Sequence, residues 1–251
     1  MNEVEFLIPM EGLHNLRAVE GYETASGRRM RGGRLYRAGA WERMTERDRA
    51  WFAEHVSTVL DLRHPDEVAV AAAASLGAPP ARVIRHSIFR EDVPMAELTA
   101  ELNGLHGPGI SSERYLHYLT VGAGERFARG VELLADEGHY PVLINCAAGK
   151  DRTGILVALV MELLGVDDET IAAEYERSNA SIDGLIAYLV SIGRAPQGTP
   201  EEVRARMETP ADKILGFLEG VRREHGSVPE LLASHGVRDE TFEALADALL
   251  D

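Results

Sequence analysis

Apolar and polar positions along the chain switch between two periods, and the switching points outline the fold. Val56 to Leu62 is a β-branched and leucine run of strand length, and Pro65-Asp66 opens an alanine-rich helix that Gly77 closes ahead of Pro79 and Pro80. Arg82 to Phe89 then alternates as a strand does. Earlier, Thr45 and Asp48 form a capping pair for a helix that carries Trp51 and Phe52 and ends near His55. The first forty residues hold Gly- and Arg-rich turns, Ser26 to Arg29 and Arg31 to Arg34, beside the short pair Leu35-Tyr36, which reads as hairpin turns with short strands. Residues 90–110, with Pro94, Gly104, Gly107, Pro108 and Gly109, lose the pattern and read as a mobile insertion. Ser111 and Ser112 offer N-caps for a helical region reaching Gly138, with a break at Gly122 and Gly124.

Val142 to Asn145 is the next strand, and Ile155 to Leu164 is apolar around nearly its whole circumference, the mark of a buried helix, with Gly165 as its stop. Everything after Asp167 reads as helix: Glu169 to Asn179, Ile182 to Ile192, Pro200 to Met207, Ala211 to His225 and two short closing helices ending at Leu250. The rhythm implies an α/β class: a central mixed or parallel sheet flanked by helices, with a helical C-terminal part, in one domain over residues 1–251.

Composition narrows the functions such a fold can carry. At 45% hydrophobic and 27% charged, the chain has material for a core. A formal net charge of -15 speaks against nucleic acid as a partner, because backbone phosphates need a basic surface. No apolar run is long enough for stable membrane insertion, and no secretory signal is visible, so a cytoplasmic setting is expected. The single cysteine excludes an intrachain disulfide and a cysteine-based zinc cluster, and the scattered histidines give no metal motif, so neither metal nor cofactor is expected.

That cysteine opens the segment with the most chemistry. Cys146-Ala147-Ala148-Gly149-Lys150-Asp151-Arg152-Thr153-Gly154 joins the predicted strand to the predicted buried helix. With 24 arginines in the chain, a Cys-x5-Arg spacing would arise by chance about one time in ten, so the bracket of strand and helix matters more. A strand-to-helix turn leaves backbone N–H groups unpaired where the helix dipole favours negative charge. The small Ala147, Ala148 and Gly149 let the backbone close around an anion, Arg152 can fork two N–H bonds onto a phosphate, and Lys150 adds a second cation. The same field favours the Cys146 thiolate, the form that attacks phosphorus. A proton donor for the leaving group is needed, and Asp151, Asp61 and Asp92 are all candidates. Asp61 and Arg63 read equally well as an ion-paired turn that orders a strand end. A nucleotide-binding phosphate loop fails, since Ile144 stands where its first glycine belongs and Asp151 where Ser or Thr does.

The segment resembles the loop of bacterial tyrosine phosphatases in the Cys-x5-Arg superfamily, which reads His-Cys-x-Ala-Gly-Lys-Asp-Arg-Thr-Gly. Asn15-Leu16-Arg17, Gly21-Tyr22, Gly33 to Arg37, Asp61-Leu62-Arg63, Tyr175 to Asn179 and Gly226-Ser227 extend the likeness over most of the chain. The resemblance implies a cysteine-phosphatase fold and a metal-free cysteinyl-phosphate mechanism on phosphorylated protein or phosphoinositide. It also implies a helical lid, for which residues 90–110 and 180–210 are candidates. Its site residues would be Cys146, Arg152, Asp151 and Asp61 for catalysis, with Ala147, Ala148, Gly149, Lys150, Thr153 and Arg63 for substrate. One departure stands out: Asn145 replaces the usual histidine before the nucleophile, and asparagine cannot carry its positive charge. That departure keeps open a second expectation, a catalytically weak module that only binds phosphate.

Overall fold

The structure is a computed structural model and describes residues 6–251 except 74, 108 and 192–194. Pro108 and the expected helix end at Ile192 therefore lie outside the described residues. In chain order the elements are β1 (Arg17–Ala18), β2 (Leu35–Ala38), α1 (Glu46–His55), β3 (Thr58–Asp61), α2 (Pro65–Ala72), β4 (Arg82–Arg85), α3 (Met95–His106), α4 (Ser112–Tyr118), α5 (Gly124–Ala135) and β5 (Val142–Asn145). Then follow α6 (Asp151–Leu163), α7 (Asp168–Glu176), α8 (Ile182–Ser191), α9 (Pro200–Met207), α10 (Ala211–His225), α11 (Val228–Ser234) and α12 (Asp239–Leu249).

The five strands form one mixed sheet in the order β1-β2-β5-β3-β4, antiparallel only between β1 and β2. Side chains alternate across it with the period of two that strands impose. Leu35, Leu60, Val142 and Ile144 face a large core built with α5, α6, α7 and α10, whereas Tyr36, Val59 and Leu143 face a smaller one with Trp41, Met44 and Phe52. α6 is buried along ten consecutive residues, Arg152 to Met161, which is why its sequence carries no polar face. Gly130 of α5 lets Leu156 approach closely; a Cβ there would stand 3.3 Å from its methyl groups.

Local signals explain most element ends. Thr45 and Asp48 make the reciprocal capping box before α1, and His64 with Glu67 makes another before α2. Ser111 caps α4, and the break between α4 and α5 falls at Val121-Gly122, where Gly122 takes φ +93°. Gly165 closes the buried helix with φ +81°. The stretch 90–110, expected as an irregular insertion, instead holds the three-turn helix α3, with Leu98 and Leu102 buried. Its N-terminus has Pro94 in place of a side-chain cap, so the usual sequence mark of a helix start is missing.

Leu156 is fully buried between sheet and α5, so Leu156→Ala removes packing that neighbouring groups cannot refill. A stability loss of about 2–5 kcal/mol is expected in urea unfolding.

Candidate active site

The loop of residues 146–150 links the C-terminal end of β5 to the N-terminus of α6 at the middle of the sheet. Four successive carbonyls of this loop are held from behind. Ala147 O accepts from the Ala40 N–H at 3.1 Å. Asn15 Nδ2 donates to Ala148 O at 3.1 Å and to Gly149 O at 3.0 Å. Arg37 donates to Gly149 O at 2.8 Å and Lys150 O at 3.2 Å. In a trans peptide the N–H points opposite the C=O, so anchoring these oxygens aims the amides of residues 148–151 to the other side, as an anion cup requires. α6 starts at Asp151 without a side-chain cap, leaving first-turn amides for a ligand. Gly149 takes φ +64°, and a Cβ there would lie 2.2 Å from the Ala38 carbonyl group, so the loop reaches the sheet only with glycine.

The anchors are themselves held by a buried charge cluster. The antiparallel register pairs Arg17 with Arg37, placing both guanidiniums on one face. Glu174 of α7 lies between them, accepting from Arg17 at 2.7 Å and Arg37 at 2.5 Å, and both arginine side chains are wholly buried. Burial pushes the Glu174 carboxyl up, but Arg17 and Arg37 outweigh it and hold it below its ordinary value. Arg17 is pushed down to about 10, by burial and then by Arg37, and remains cationic at neutral pH. Asn15, in the left-handed region at φ 61°, also accepts from Arg17.

Around the cup, Cys146 is buried at 2% exposure and Arg152 at 9%. Both Arg152 terminal nitrogens donate to Glu67 of α2, at 2.5 and 2.8 Å. Burial disfavours the Arg152 charge, yet Glu67 and then Cys146 hold its pKa above the ordinary value. Burial likewise pushes Glu67 up, and Arg152 brings it net below its usual value. Arg152 also lies 5.6 Å over the Phe89 ring. Thr153 is fully buried behind the loop, and its Oγ1 has no hydrogen-bond partner among the described residues. Asp151 accepts from the Tyr115 hydroxyl at 2.6 Å, and Tyr115 meets the Tyr175 hydroxyl at 2.6 Å. Burial, then the Asp151 charge, raises both phenols well above their ordinary value.

Asp61 and Arg63 form a buried ion-paired network at the strand ends. Asp61 is fully buried and accepts from Arg63 at 2.8 Å, from Arg85, and from Asn145 Nδ2 at 3.1 Å. The parallel register sets Asp61 directly beside Asn145, which explains that contact. Arg63 also reaches Glu42 at 2.7 Å, and Trp41 stacks with both Arg63 and Arg85. Asp92 is on the surface, paired with Arg90 at 2.8 Å. Sequence reasoning did not single out Glu67, Glu174, Tyr115 or Tyr175 as site residues. Asn15, Arg17 and Arg37 sat only in segments marked by family likeness. Glu67 carried one signal, its place four residues after Arg63 on the first turn of a helix entering the site.

Gly149→Ala is expected to lower kcat by at least about a hundredfold, because a misplaced loop loses amide donors worth roughly 3–4 kcal/mol each; steady-state kinetics on an aryl phosphate checks it. Glu174→Gln strands two buried guanidiniums and should cost about 3–5 kcal/mol in urea unfolding. Because the Glu174 pKa is depressed from 4.5, its stabilisation is present above that value and lost as pH falls below it. Stability of the parent should therefore drop more steeply than that of Glu174→Gln between about pH 5 and pH 3.

The family model described as "Tyrosine phosphatase family" matches residues 8–251. The chain is 30% identical to the triple specificity protein phosphatase PtpB of Mycobacterium tuberculosis, over 96% of this chain and 92% of that protein. It is 31% identical to a putative tyrosine-protein phosphatase of Cupriavidus necator, over 75% of this chain and 70% of that one. Among solved structures, the core catalytic domain of the Saccharomyces cerevisiae PP-IP phosphatase SIW14 aligns with 88% of this chain and 96% of its own at 15% identity and a TM-score of 0.36. With a family match over nearly its whole length, the chain belongs to the tyrosine phosphatase family and is a phosphatase.

Proposed function

We propose that the chain hydrolyses phosphotyrosine in proteins, and related phosphomonoesters including phosphoserine, phosphothreonine and phosphoinositides, through a cysteinyl-phosphate at Cys146. The observation that carries this reading is the row of four loop carbonyls anchored by Ala40, Asn15 and Arg37, which presents the opposing amides to a tetrahedral anion. The Cys146 thiolate attacks phosphorus in line, the P–O bond to the leaving group breaks, and water then cleaves the S–P bond. Loop amides and Arg152 carry the charge of the equatorial oxygens, with Glu67 fixing the guanidinium plane. Thr153 and the small residues Ala147 and Ala148 shape the cup.

Asp151 is the proton donor this reading favours. It is partly exposed at the mouth of the loop, whereas Asp61 is enclosed by Arg63, Arg85 and Asn145, and Asp92 is on the surface with Arg90. Asp61 and Arg63 then act by bracing the strand ends next to the cup. Segments 90–110 and 180–210 are the proposed cover of the site, and the contact of Lys150 Nζ with the Met207 carbonyl, within the second of them, supports that one. A thiolate nucleophile with no second cysteine suits a reducing compartment such as the cytoplasm.

Turnover of para-nitrophenyl phosphate, measured with and without chelator, tests the reading. Chelator-resistant activity that falls by at least about a thousandfold in both Cys146→Ser and Arg152→Lys is expected, since a point charge cannot replace the planar fork. Phosphate binding without turnover in the parent chain would instead support the binding module that Asn145 keeps in view.

A further inference from the structure

Tyr115 of α4 is fully buried, and its ring is held on three sides. It meets Tyr175 edge-on at 6.4 Å and Phe217 edge-on at 6.3 Å, and it tilts against Tyr118 at 5.9 Å. A phenol enclosed in this way needs partners for its hydroxyl. It finds two, each at 2.6 Å: Asp151 Oδ1 and the Tyr175 hydroxyl. A phenol has one hydrogen to give, and Tyr115 gives it to the carboxylate, so the Tyr175 hydroxyl must donate to the Tyr115 oxygen. The result is a chain with one direction, from α7 through α4 to the first residue of α6. Gly154 makes room for its far end, since a Cβ there would stand 2.9 Å from the Tyr175 ring. Burial, then the Asp151 charge, raises both phenols well above their ordinary value, so each keeps its hydrogen at neutral pH.

The two oxygens of Asp151 are thereby made unequal. Oδ1 is taken by Tyr115. Lys150 Nζ stands 3.8 Å from Oδ2, too far for a hydrogen bond, and donates to the Met207 carbonyl instead. A protonated carboxyl has one carbonyl oxygen and one hydroxyl, and an incoming donor prefers the carbonyl. Placing the proton on Oδ1 would require both phenol hydrogens to turn round together. We propose that Tyr115 is a positioning residue for proton transfer: it holds Asp151 Oδ1 as an acceptor and so leaves Oδ2 to carry the proton to the leaving group. Tyr175 fixes the direction of the Tyr115 hydroxyl. As the S–P bond to Cys146 forms, the electron pair of the breaking P–O bond goes to the leaving oxygen, which takes the Oδ2 proton. In the second half, the water that attacks phosphorus returns a proton to Oδ2 and the S–P bond breaks. This deepens the proposed function and rests on Asp151 as its proton donor.

The test compares kcat/KM of the full chain on phenyl phosphate, whose leaving group needs a proton, and on dinitrophenyl phosphate, whose leaving group departs as a stable anion. Tyr115→Phe keeps the ring and removes only the hydroxyl. It should lower the ratio of phenyl to dinitrophenyl phosphate efficiency about tenfold, a fraction of what a general acid contributes. The ratio is taken within one preparation, so partial unfolding cannot mimic its change. Asp151→Asn should lower the same ratio by about a hundredfold or more, and adding Tyr115→Phe to it should lower the ratio no further. Equal losses on both substrates from Tyr115→Phe, or none, overturn the proposal, because a merely structural tyrosine affects both alike. A further drop of the ratio in the Asp151→Asn background overturns it too. An unchanged ratio in Asp151→Asn would sink Asp151 as the proton donor and the role of Tyr115 with it. A lowered ratio in Asp151→Asn beside an unchanged one in Tyr115→Phe would sink the role of Tyr115 alone.

Discussion

A peptide group cannot turn its oxygen one way without turning its hydrogen the other, and this chain uses that constraint to shape the loop between β5 and α6. Binding the oxygens of residues 147–150 to Ala40, Asn15 and Arg37 does more than fix the loop in place. It sets the direction of every amide on the opposite side. Arg37 can sit in that dry position only because Glu174 balances it, and Glu174 gains from Arg17 as well. One carboxylate inside α7 thus supports the electrostatics behind the loop, and it leaves the cluster with one surplus positive charge there.

The arrangement also explains how a chain with net charge -15 can receive an anion. Its acidic residues are spread over the surface or paired with buried arginines, and Arg17 with Arg37 against the single Glu174 leaves one positive charge behind the loop. The neutral Asn145 fits the same pattern. Its amide donates to Asp61, which already accepts from Arg63 and Arg85. An imidazolium at that position would crowd a third cation onto one carboxylate, whereas an amide meets the remaining lone pair without charge.

What could be read from the sequence was local. The run Val142 to Asn145, the small residues after Cys146 and the all-apolar helix beyond them placed the loop, and Thr45 with Asp48 placed α1, because capping and periodicity act within a few residues. The contacts that position the loop left no such trace. Arg17 and Glu174 are 157 residues apart, and Arg152 and Glu67 are 85 apart, so no local pattern ties either arginine to its carboxylate. α3 stayed hidden for a different reason: it lacks a side-chain cap, Gly104 lies within it and Gly107 ends it, so weak local signals masked a helix that Leu98 and Leu102 hold by packing. The even balance between two roles for Asp61 could be weighed further only once Arg85, from another strand, came beside it.

The two ends of the fold are stitched together at a place remote from the loop. Met30 bridges Leu250, the Arg31 N–H meets the Leu249 carbonyl, and the Asp251 N–H meets the Arg29 carbonyl. The turn at residues 23–29 leads into β2, which pairs directly with the strand that carries the cysteine. The early turn closes on its own local bonds, but the contacts that tie it to residues 249–251 wait for a segment far along the chain, so the anchoring of the edge beside β2 is a long-range and therefore late event in folding.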